Sequence, residues 1–132
     1  MLADLVAWLR EQIDEDERVA QDARGHVWRY DPERSTALVV DAGSGQAIAY
    51  RPRSGDAPSA GDGIHIARWD PARVLAEVAA KRAILDHCVS TIRHAGDPPG
   101  IDPEDVTAVE HVIHLLAQPF AGRAGFDPSW LD

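Results

Sequence analysis

Apolar residues recur at three- and four-residue spacing in three separate stretches of this chain. Between the first and second they change to short clusters and alternations. The pattern predicts three helices, with strands after the first. Leu2, Leu5, Val6, Leu9, Ile13 and Ala20 make one stripe from about Leu2 to Ala23, with Trp8 at its border. Gly25 stands where a helix end is capped. His26–Tyr30, Thr36–Asp41 and Ala47–Tyr50 read as strands, with Asp31-Pro32-Glu33-Arg34 and Gly43-Ser44-Gly45 as the turns between them. A three-stranded antiparallel meander follows. Residues 51–63 are rich in Pro, Gly and Ser and read as a mobile loop.

A short apolar entry, Ile64-His65-Ile66, then leads into the longest helix. Asp70 is placed as its N-cap and Pro71 as its first residue, where a missing N–H costs nothing. Val74, Leu75, Val78, Leu85, Val89 and Ile92 form its stripe, and Glu77 and Lys81 are spaced for an i,i+4 pair. The helix should stop near His94, ahead of Ala95-Gly96-Asp97-Pro98-Pro99-Gly100. The last helix should open at Asp102-Pro103 and end at Pro119, with Val106, Val109, Val112, Ile113 and Leu116 inside. Phe120, Phe126, Trp130 and Leu131 then predict a tail packed back on the core. The expected class is α+β, in a single domain over residues 1–132.

HIARWDPARVLAEVAAKRAIL (65–85), LADLVAWLREQIDEDERVAQDA (2–23) followed by Trp28, and the closing LLAQPFAGRAGFDPSWLD (115–132) together resemble a family of small acidic proteins of unknown function from actinomycetes and their phages. The resemblance covers both ends and the centre. It implies no activity. The family pattern commonly carries several cysteines between the central helix and the closing stretch, and this chain has none there.

Charge narrows the partners. The formal net charge is −9, with seven acids against three bases in residues 1–24 and seven against one in 97–132. Such a chain repels nucleic-acid backbones, so direct nucleic-acid binding is not expected. No apolar run approaches the length of a membrane span, and the first residues lack a leader pattern. One cysteine, Cys88, forbids an internal disulfide and fits a reducing, cytoplasmic setting; beside the apolar stripe it reads as a buried, inert thiol.

Candidate chemistry is sparse. His111 and His114 share a helix face at i,i+3 and are the best metal ligands available; His87 or His94 could join them if the helices pack antiparallel. His87 and His94 alone stand about 10 Å apart along their helix. The zinc-protease pattern needs two His four apart with Glu after the first, and Val112 occupies that place. Glu11, Asp14 and Glu15 could hold Mg²⁺ only with a second carboxylate cluster, for which Glu104, Asp105 and Glu110 are the candidates; Arg10 and Arg18, four residues from Asp14, partly neutralise the run. Gly43-Ser44-Gly45 matches neither a nucleophile elbow nor a dinucleotide fingerprint. His65 and Arg68 could meet an anion at the mouth of the central helix, although Asp70 competes for the same N–H groups.

Surface histidines and a solvated acidic helix face are the favoured readings of these groups, and no cofactor is expected. Trp69 precedes the cap and can staple the helix entry. Core packing is the default for three of the four tryptophans, and an exposed one would mark a partner surface. The sequence therefore predicts a small, non-catalytic interaction or regulatory protein. It should form a homodimer, with a further protein partner and a link to phages or mobile elements as attendant expectations. The alternative is a metal-dependent hydrolase using His111, His114 and carboxylates.

Overall fold

The computed structural model describes residues 1–34, 37–51, 60–97 and 100–131. Among them it shows four α-helices and a three-stranded antiparallel sheet, an α+β fold. The order is α1 (Leu2–Asp22), β1 (Trp28–Tyr30), β2 (Ala37–Asp41), β3 (Ala47–Tyr50), α2 (Ala60–Arg68), α3 (Pro71–Arg93) and α4 (Pro103–Ala117). Short 3-10 turns follow at Gln118–Phe120 and Pro128–Leu131. The chain divides into two compact units, one of residues 1–15 with 78–132 and one of residues 16–77. Helices α1 and α3 run unbroken through both.

In the second unit the strands lie in the order β1-β2-β3, as a meander. Trp28 pairs with Asp41 and Tyr30 with Val39; Ala37 pairs with Tyr50 and Val40 with Ala47, with a register irregularity between them. Ala37, Leu38, Val39 and Val40 are all buried, so both faces of β2 are covered. Each large apolar side chain buried this way contributes roughly 1.5–3 kcal/mol. Asp41 closes the β2–β3 hairpin by accepting from the Ser44 N–H at 2.8 Å and the Ser44 hydroxyl at 2.7 Å. Arg51 donates to the carbonyls of Arg34 (2.9 Å) and Asp31 (3.0 Å), fastening the β1–β2 turn.

Helix α2 corrects the expectation of a loop through Gly63 followed by a short apolar entry. Ala60–Arg68 is helical, and it packs on β1 and β2. Two glycines and only nine residues hide its periodicity. Gly63 is buried because the sheet comes so close: a Cβ there would lie 2.6 Å from the Tyr30 ring and 3.0 Å from Leu38 Cγ. Residues 52–59 of the expected loop lie outside the described residues, as do Thr36, Pro98 and Pro99.

In the first unit, α1 and α3 are antiparallel. Arg10 pairs with Asp86 at 2.7 Å and Asp14 with Arg82 at 2.6 Å. Asp14 thus takes a cation from another helix. Arg18 pairs with Asp22. Leu5, Leu9, Ile13, Val78, Leu85, Cys88, Ile113, Ala117 and Phe120 are buried in this unit. The expected Glu77–Lys81 pair does not form; Glu77 bonds Arg73 at 2.9 Å, and the Lys81 ammonium lies over the Phe120 ring. Asp102 caps α4 by accepting from the Glu104 N–H at 2.9 Å. The tail folds back through Phe120, Phe126 and Trp130, whereas Leu131, expected to pack with them, is exposed. Trp8 meets Trp130 and Phe126 with ring centroids 5.3 and 5.4 Å apart, and its indole N–H donates to the Ala124 carbonyl.

Candidate interaction surface

The start of α3 organises the second unit. Asp70 is buried, and one carboxylate oxygen accepts from the Arg73 N–H at 2.8 Å, the N-cap bond the Asp-Pro step predicts. Its other oxygen accepts from the Trp28 N–H at 3.1 Å, and the Ala72 N–H donates to the His26 carbonyl at 2.8 Å. One side chain therefore caps the helix and fixes the entry of β1 beside it. With both oxygens used inward, Asp70 also occupies the helix N-terminus that His65 and Arg68 would need for an anion.

Trp69, one residue earlier, is turned out. It is 42 % exposed, whereas Trp8, Trp28 and Trp130 are half-buried. Its ring is not loose: the Arg73 guanidinium carbon stands 4.4 Å above it, and His65 lies with its ring centroid 6.1 Å away. Arg68 ends α2 nearby in sequence, exposed and in no ion pair among the described residues. Trp69 borders an apolar hollow of about 280 Å³, lined by Asp16, Val19 and Ala20 of α1, by Ala23 just after it, by Trp28, and by Pro71 and Val74 of α3. Val19 is 56 % exposed. Trp69 and Val74 line the same hollow, and the Trp69 ring keeps an open face. Of the three binding residues expected from sequence, His65 and Trp69 come together, through one turn of helix. The hollow itself was not anticipated, because α1 supplies part of its lining.

The expected metal ligands sit in the first unit and are not gathered. His111 is exposed. His114 is half-buried, with Nδ1 2.7 Å from the Trp130 carbonyl oxygen. His94 is bonded to Asp97 at 2.7 Å, and His87 is exposed. Among the described residues, no group of three or more His, Cys, Asp or Glu side chains is placed to hold a metal ion. Cys88 is buried, and burial pushes its thiol above the ordinary range, away from the reactive thiolate. No described helix is long and apolar enough to cross a membrane.

One family model matches residues 2–132, that of a family of unknown function, DUF6221. No curated protein matches the chain, and no solved structure does.

Proposed function

We propose, from the premise that the chain belongs to the family of unknown function DUF6221, that this protein acts without catalysis, as an interaction protein that docks through its Trp69 face. One observation carries the reading: a large aromatic ring is held by Arg73 in an exposed position at the edge of an apolar hollow. Tryptophan and arginine dominate binding energy at protein interfaces, and a ring already fixed loses little freedom on binding. The proposal extends to a cytoplasmic setting, to homodimerisation, and to the phage or mobile-element association that the resemblance implies.

Replacing Trp69 by a photoreactive benzoylphenylalanine in cells making the full chain tests it. Irradiation should yield a covalent adduct with a polypeptide, a second copy included. The same probe at exposed Leu115, in the other unit, should give far less. If position 69 traps no more than position 115, the docking reading falls.

A further inference from the structure

We propose that a second hollow in the same unit is a binding site for a small aromatic carboxylate. It stands apart from the docking reading above. The hollow measures about 420 Å³ and is lined by Ala23, Arg24, Trp28, Ala47, Ile48 and Tyr50, where the chain leaving α1 meets β1 and β3. That volume suits a metabolite-sized ligand. Trp28 is fixed in it. The Trp28 backbone N–H donates to Asp70 and the indole N–H donates to the Arg24 carbonyl at 2.9 Å. Both donors are spent, so Trp28 offers the hollow an apolar ring. Tyr50 adds a second ring, 68 % exposed. Two rings and the aliphatic surface of Ile48 favour a flat apolar body.

The lining also fixes the sign of the charge. Arg24 supplies a guanidinium that donates only, and it is in no ion pair among the described residues. No described lining residue carries a carboxylate to neutralise it. The Trp69 hollow differs, having Asp16 in its lining, and Arg10 in the apolar groove between α1 and α3 is already held by Asp86. A free guanidinium beside two rings matches a carboxylate on an aromatic body, which it meets with two parallel N–H···O bonds. A cationic ligand would meet Arg24 unopposed. The net charge of −9 opposes anions at long range, but that repulsion is largely screened beyond about 8 Å at physiological salt.

Chemical-shift titration of the full, ¹⁵N-labelled chain with 2-naphthoate, and separately with its neutral isostere 2-naphthamide, tests the inference. Naphthoate should saturate with a Kd of about 1 mM, the affinity a ligand of that size commands. The shifts should centre on the Ile48 and Tyr50 amides and the Trp28 indole N–H. Trp28 also lines the Trp69 hollow, so Ile48 and Tyr50, set against Val19 and Val74, tell the two hollows apart. Naphthamide should bind about threefold to fivefold more weakly, the difference one exposed ion pair makes. Arg24→Gln should erase that difference and leave the spectrum otherwise in place, because the Arg24 carbonyl that holds Trp28 is retained. Tyr50→Ala should weaken both compounds alike. Three results overturn the site: no saturable shift at Ile48 and Tyr50 by about 10 mM, equal binding of acid and amide, or a preference for the acid that survives Arg24→Gln. Shifts confined to Val6 and Val89 place the compound in the other groove and overturn it equally.

Discussion

Asp70 holds two distant pieces of chain with one carboxylate, and its two oxygens can be separated by mutation. Asp70→Ala loses the cap and orphans the Trp28 N–H, a cost of about 2–4 kcal/mol. Asp70→Asn keeps a capping oxygen but turns an amide donor toward the Trp28 donor, and should cost about 1–2 kcal/mol. Urea denaturation of the three proteins checks this, and an Asn variant as stable as wild type would show that the Trp28 bond contributes nothing. The cap was legible in the sequence because it acts three residues away. The second bond was not, because its donor lies 42 residues upstream. Asp41 gives a pH signature. The Ser44 hydroxyl, then the Ser44 N–H, hold its carboxyl below the usual range. A lowered carboxyl contributes stability that is present above the ordinary carboxylate range and lost as pH falls through the depressed value. Ser44→Ala should therefore be less stable than wild type at neutral pH, and the gap should narrow below about pH 4. Equal urea midpoints at neutral pH would refute that.

Among elements, the long helices were readable end to end and the short one was not. Helix α1 and helix α3 each carry enough turns for the apolar stripe to repeat, and α4 announces itself through Asp102-Pro103. Helix α2 has too few residues to show a period, and Gly63 looks like a loop residue until the sheet is seen against it. Gly63→Ala should test the close approach. Helix propensity alone would favour Ala by about 1 kcal/mol, whereas displacing the Tyr30 ring and Leu38 costs about 1–3 kcal/mol. A lowered urea midpoint is expected, and a raised one would place α2 farther from the sheet. The tail was predicted to pack from its aromatic content, but its fastening by His114 was not, since that histidine was read as a candidate ligand. His114→Ala should cost about 1 kcal/mol through the lost bond to the Trp130 carbonyl. It should speed amide exchange over residues 120–131 and leave bound metal unchanged; slow exchange there with altered metal content would restore the ligand reading.

For the whole molecule, apolar periodicity gave the class and composition the charge, while the proposed binding face required the fold. Trp69 was marked as a candidate by its place before the cap, yet the hollow beside it joins α1 to a segment some fifty residues later. Such pairing has no local signature. The two compact units share two unbroken helices, and on that ground the chain is expected to unfold as one domain. Tryptophans divide conveniently, with Trp8 and Trp130 in one unit and Trp28 and Trp69 in the other. Variants retaining fluorescence in one unit only should give coincident urea transitions. Two separated midpoints would mean two domains.

The burial of Cys88 makes the chain its own clock. It is the sole cysteine, so every thiol adduct reports one place. With the sulfur buried in the folded protein and its ionisation suppressed, a thiol reagent must wait for the helix to come away from its neighbours. At high reagent concentration the rate of labelling becomes the rate of that opening, and at low concentration it becomes the fraction of time spent open. Each substitution proposed above can thus be timed in dilute native buffer, without denaturant and without an added label site.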